Sequence, residues 1–133
     1  MAVKIVDASA ICAVLFSEPG GASVTARLAG AELMAPALLP FEVANTCLKK
    51  IRLAPGRRTQ LLAGLADFTR MRIAIAATDP ADATLLAERT SLSAYDASYL
   101  WLAWIMRAEL VTLDRRLQRA CAATQPNRPG AVR

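Results

Sequence analysis

Four acidic residues interrupt otherwise apolar stretches of this chain. Asp7 ends the run Val3-Lys4-Ile5-Val6, and Asp114 ends Leu110-Val111-Thr112-Leu113. Glu42 lies within Leu38-Leu39-Pro40-Phe41-Glu42-Val43-Ala44-Asn45, and Asp96 within Ala94-Tyr95-Asp96-Ala97-Ser98-Tyr99-Leu100. The chain has 11 acidic residues and no histidine. That excludes histidine triads, imidazole general bases and histidine metal ligands. A catalytic metal must then be held by oxygen, which selects hard cations, magnesium or manganese. Clustered carboxylates suit one or two such ions, a site able to bind a phosphodiester, activate a water and stabilise the leaving oxygen. Taken singly, Glu42 and Asp96 also read as first-turn acids that complement a helix dipole. Four acids at strand ends or helix starts weaken that local reading. Ser9 and Thr112 stand two residues from Asp7 and Asp114, where a hydroxyl can orient a carboxylate or close a turn on its own backbone.

These residues need elements to bring them together. Val3 to Val6 is β-branched and apolar apart from Lys4, which predicts a short buried strand. Ala10 to Phe16 reads as a buried helix, so Asp7 falls where a strand hands over to a helix. Ligands of open α/β sheets bind outside the carboxyl ends of the strands, which is that place. A helix over 22–29, a strand over Glu32–Pro36 and a helix from about Phe41 to Leu53 follow. One helix is expected over 57–71, with Leu61, Leu62, Leu65 and Phe68 inward. A strand over 72–76 precedes Asp79-Pro80, an N-cap with proline at the first helical position. Helices over 81–92 and 95–108 lead to a strand ending at Asp114, then a last helix over 115–123. If the strands ending in Asp7 and Asp114 are parallel neighbours, their ends lie about 5 Å apart. Like charges that close are costly unless a cation lies between them. The alternation of strands and helices predicts a parallel α/β sheet with helices on both faces.

The 133 residues predict one domain, with a core over about 3–121 and a tail or edge strand over 124–133. The composition is 55% hydrophobic but only 5% aromatic, so the core must be mainly aliphatic. A formal charge of +5 favours a polyanionic partner, nucleic acid first. The three cysteines, Cys12, Cys47 and Cys121, are odd in number and widely spaced, which argues against a disulfide framework or a zinc site and fits a reducing cytoplasm. The apolar stretch 95–106 carries an aspartate and is too short to span a bilayer, so no membrane association is expected.

The motifs Val6-Asp7-Ala8-Ser9-Ala10, Pro40-Phe41-Glu42-Val43-Ala44-Asn45, Tyr95-Asp96-Ala97-Ser98-Tyr99-Leu100 and Leu113-Asp114-Arg115-Arg116-Leu117, in that order, resemble the PIN-domain nucleases. Their wording and the small size resemble the VapC-type toxins of bacterial toxin–antitoxin pairs. The resemblance runs from Val3 to about Cys121. It implies a three-layer α/β/α fold with a small, mainly parallel central sheet. It also implies magnesium- or manganese-dependent cleavage of single-stranded RNA, a homodimer, and a small antitoxin that blocks the site. Asp7, Glu42, Asp96 and Asp114 match the family's acidic quartet.

Among the basic residues, Arg115 and Arg116 follow Asp114 directly and are expected to contact RNA phosphate. Lys49, Lys50, Arg52, Arg57 and Arg58 read as a solvated face. No base-stacking platform is evident, since Trp101 and Trp104 lie in an apolar helix that suits a core or a dimer interface. Two other readings compete. A phosphoryl-aspartate protein also places an aspartate after its first strand. The phosphatase type needs a second aspartate where this chain has Ser9, however, and the receiver type needs a late lysine, whereas Lys50 is the last one here. A catalytically silent RNA- or protein-binding module would have no reason to keep four mutually repelling acids.

Overall fold

The computed structural model describes residues 1–124. The stretch 125–133, where the sequence suggests an edge strand at Ala131-Val132, lies outside the described residues. Strand β1 (Val3–Val6) is followed by helices α1 (Ala8–Leu15) and α2 (Gly21–Leu28), strand β2 (Glu32–Pro36) and helix α3 (Leu39–Leu53). Then come helix α4 (Arg58–Ala66), strand β3 (Ala74–Ala76), helices α5 (Pro80–Thr90) and α6 (Ala94–Met106), strand β4 (Glu109–Val111) and helix α7 (Arg115–Ala123).

The four strands form one parallel sheet in the order β3-β2-β1-β4, covered by helices in a three-layer α/β/α arrangement. Parallel strands need crossover connections, and the helices supply them. Strand β1 is central. Its Ile5 pairs with Met34 of β2 on one side and with Leu110 of β4 on the other. The chain leaves β1 toward β2 and β3 and later returns to β1's other edge as β4. The junction between the ends of β1 and β4 is therefore the topological switch point, where ligands of open α/β sheets bind. Ile5, Val6, Ile11, Leu100, Val111 and Leu117 are fully buried around it. Helix α6 lies across β1, β2 and β4, and its side chains Tyr99 and Leu100 are buried against them.

Several elements differ in extent from their sequence pattern. Helix α3 starts at Leu39, with Pro40 in its first turn, where the missing N–H has no intrahelical partner to lose. Val43 and Cys47 are buried on its inner face, Ile51 packs against the core, and Leu48 faces solvent. The single helix expected over 57–71 is broken into a 3-10 turn at Pro55–Arg57, α4, and a second 3-10 turn at Asp67–Met71. The Thr69 hydroxyl donates to the Ala66 carbonyl and the Arg70 guanidinium to Asp67, so side chains take over as the helix tightens. Arg72 then turns left-handed at φ 52° and ends the segment. Leu61 is buried, but Leu62 is exposed rather than inward. Gly64 passes so close to α1 that an added Cβ would lie 2.6 Å from the Leu15 carbonyl oxygen. The strand expected to end at Asp114 stops at Val111, for a reason that belongs to the site.

Candidate active site

Asp7 follows β1 directly and is the N-cap of α1, its Oδ1 accepting from the Ala10 N–H at 3.1 Å. Val6 pairs with Val111, so the residue beside Asp7 on the neighbouring strand is Thr112, not Asp114. The Thr112 hydroxyl donates to Asp7 Oδ2 at 2.6 Å, and the Ser9 hydroxyl donates to Asp7 Oδ1 at 2.8 Å. Thr112 also accepts from the Asp114 N–H at 3.0 Å, and its carbonyl accepts from the Gln118 side chain at 2.8 Å. Those two bonds turn the chain out of the ladder and end β4. Ser9 accepts from the Leu113 N–H at 2.9 Å, which ties α1 to the same turn. Asp114 lies three residues beyond the strand and caps α7, accepting from the Leu117 N–H at 3.0 Å.

Glu42 lies in the first turn of α3 and Asp96 in the first turn of α6, whose N-cap Ser93 accepts from the Asp96 N–H at 3.0 Å. All four acids thus sit at helix N-termini, where the dipole favours negative charge. Capping by the side chain itself accounts for Asp7 and Asp114. It does not account for Glu42, whose Oε1 instead accepts from the buried Tyr99 hydroxyl at 2.5 Å. Tyr99 is a residue that the motifs did not single out. Its position three residues after Asp96 puts it on the same face of α6, but no local pattern shows that its hydroxyl reaches Glu42.

The acids feel one another. Burial raises the Asp7 pKa above the ordinary range, and the charge of Asp114 adds to it, although the Thr112, Ala10 and Ser9 hydrogen bonds oppose the rise. Burial raises Glu42, against the Tyr99 hydrogen bond, and Asp96 and Asp7 push it further. Burial raises Asp96, reinforced by Asp114 and opposed by Arg116. The repulsions close a ring in the order Asp114, Asp7, Glu42, Asp96 and back to Asp114. Burial also raises the Tyr99 phenol, with Glu42 next in effect, so it stays a donor at neutral pH. Among the described residues, no three acidic, cysteine or histidine side chains converge closely enough as placed to hold one ion. Asp7 and Glu42 are instead held by hydroxyl groups. The donors are carboxylates and hydroxyls throughout, a set that matches a hard cation and no softer metal.

Arg115 is exposed in the first turn of α7, and Arg116 donates to the Ser91 carbonyl at 3.0 Å. Trp104 is buried. Trp101 is half-buried, its indole N–H donating to Asp82 at 3.3 Å. No helix among the described residues is long and apolar enough to cross a membrane.

A strand-end aspartate at the switch point of a parallel sheet, with three more acids at helix starts around it, defines a class. The PIN domain model matches residues 4–123, and the chain belongs to the PIN-domain family, a fold of nucleases. The structure is similar to the crystal structure of PAE2754 from Pyrobaculum aerophilum, with a TM-score of 0.65 and 25% sequence identity over 90% of this chain and 79% of that one. No curated protein sequence matches the chain.

Proposed function

We propose that the chain is a magnesium- or manganese-dependent endoribonuclease that cleaves single-stranded RNA. The observation that carries this reading is the set of four carboxylates gathered at the switch point, of which Asp7, Glu42 and Asp96 are raised by burial and by the charge of their acidic neighbours. Such an arrangement is unfavourable by itself and becomes favourable around a cation. Asp7, Glu42, Asp96 and Asp114 would hold the metal, which supplies Lewis acidity toward the phosphodiester and its attacking water. Thr112 and Ser9 keep the Asp7 carboxylate in one orientation, and Tyr99 does the same for Glu42. Arg115, exposed beside Asp114, is placed to hold a backbone phosphate. Arg116 has its guanidinium engaged at Ser91, close enough to lower the Asp96 pKa, so its larger part is to temper the site's charge. Incubation with mixed cellular RNA, in magnesium and in chelator, followed by mapping of the cut ends, tests this. Metal-dependent cuts are expected, and cuts that persist in chelator overturn it.

The protein's role in this reading is the toxin of a VapC-type toxin–antitoxin pair, working in the cytoplasm as a homodimer. A cluster of carboxylates on a chain of formal charge +5 suits a small antitoxin that offers arginine or lysine to them. The exposed apolar side chains Leu85 and Ile105, on α5 and α6, suit burial against a second copy. Copurification with the product of the neighbouring reading frame, and inhibition by it, test the toxin role. Light scattering tests the dimer.

A further inference from the structure

The chain has three phenylalanines, two tyrosines and two tryptophans. Of these, Phe41 and Tyr95 alone are exposed, at 79% and 69%. Each immediately precedes a carboxylate of the ring, Glu42 and Asp96. They come from different helices, the first turns of α3 and α6, yet they line one cavity of about 290 Å³ together with Leu38, Glu42 and Asn45. Asn45 is one helical turn beyond Phe41 on α3, so its exposed amide lies on the same face as the ring.

We propose that Phe41 and Tyr95 form a subsite for one unpaired nucleobase, next to the phosphate on which the carboxylates act. This rests on the ribonuclease reading and adds to it which part of the RNA is gripped. Two exposed aromatic rings are costly to leave in water, and their flat faces stack on any base. The Asn45 amide offers both a donor and an acceptor to a base edge. At about 290 Å³ the cavity is at the small end of ligand sites, room for a ring system rather than for a docked helix. Glu42 belongs both to the cavity wall and to the acidic ring, so a base seated there has its own phosphate near the metal ligands. A duplex would keep its bases stacked inside and leave the subsite empty, so the subsite selects single strands.

The test is binding of a short single-stranded RNA carrying 2-aminopurine, in chelator so that nothing is cut. Stacking is read as quenching of the probe. Phe41→Ala and Tyr95→Ala should each weaken binding about tenfold and reduce the quench. Phe41→Trp and Tyr95→Phe should retain both. An abasic site walked along the strand should reproduce the loss at one position, with no further loss on adding Phe41→Ala. Both side chains are largely exposed, so the melting temperature should stay unchanged. Unchanged RNA binding by both alanine variants, with magnesium-dependent cleavage intact, overturns the base subsite and leaves the nuclease reading standing. If the alanine variants lose a protein partner while RNA binding is unchanged, the surface is a protein-docking site and the proposal is wrong. If wild type neither binds nor cleaves RNA, the ribonuclease reading falls and the subsite with it.

Discussion

The Thr112 hydroxyl donates to the Asp7 carboxylate at 2.6 Å across the β1–β4 pair, while accepting from the Asp114 backbone N–H at 3.0 Å. One side chain therefore orients the first acid and places the last. Thr112 is 2% exposed, so water cannot take over either bond.

Thr112→Val keeps the shape and leaves two polar groups without that partner. It should lower stability by about 1–3 kcal/mol. It should also reduce cleavage by more than the loss of folded protein explains, because Asp7 becomes free to turn. Thr112→Ser should restore both. Urea melts alongside cleavage rates check this, and a valine variant that is stable and fully active would show that the hydroxyl is incidental.

Tyr99→Phe removes the only donor of the Tyr99–Glu42 bond. Glu42 is half-buried and can turn to water, so the fold should lose about 1 kcal/mol or less. The manganese concentration for half-maximal cleavage should rise about tenfold, since an unheld ligand must be ordered on binding. Metal titrations of both proteins measure this. An unchanged metal requirement would make Tyr99 a core residue only.

Strand β1, its handover at Asp7 and the alternation into a parallel sheet were all legible, because local apolar runs and caps report on their own neighbourhood. The partner of Asp7 was not. A strand ending at Asp114 was the natural reading of Leu110-Val111-Thr112-Leu113, and only the register Val6 to Val111 puts Thr112 beside Asp7. Register is a long-range property set by packing. The break of the 57–71 helix at Asp67 was hidden for another reason, since its leucines fit a helical period while Thr69 and Arg70 bond back to Ala66 and Asp67 and tighten the last turn. Tyr99 read as one more apolar residue of α6, because nothing local reveals that its hydroxyl reaches Glu42, 57 residues away. The aromatic pair Phe41 and Tyr95 was visible only as two separate helix starts.

Metal-free stability should fall as pH rises. Asp7, Glu42 and Asp96 have folded pKa values raised above the unfolded ones. Below about pH 4 both states hold these protons and the folded state has the full advantage. As pH climbs through the folded values the advantage is lost, because the unfolded chain ionises freely and the fold resists it. Asp96→Asn removes one such charge. In chelator its melting temperature relative to wild type should therefore rise between pH 4 and pH 7, reaching at least the wild-type value. Magnesium should then lift wild type more than the variant. A variant that melts lower at pH 7 in chelator, with an equal magnesium shift, would make Asp96 a capping acid only.

Gly64→Ala improves helix propensity by about 1 kcal/mol, yet it should destabilise the protein. Its Cβ would stand 2.6 Å from the Leu15 carbonyl oxygen, which neither backbone can relieve without moving α4 away from α1. The expected net loss is about 1–3 kcal/mol. Denaturant melts decide between propensity and packing, and a more stable alanine variant would mean that the two helices are not tightly apposed.

Four acids from four helix starts are proposed to act together as one metal site. Calorimetric titration of manganese into wild type and into Asp7→Asn, Glu42→Gln, Asp96→Asn and Asp114→Asn tests it directly. Wild type should bind manganese saturably, and each variant should lose about tenfold or more in affinity. Wild-type protein that binds no manganese, or an Asp7→Asn variant that binds it as well as wild type, would mean that the four acids do not form a metal site.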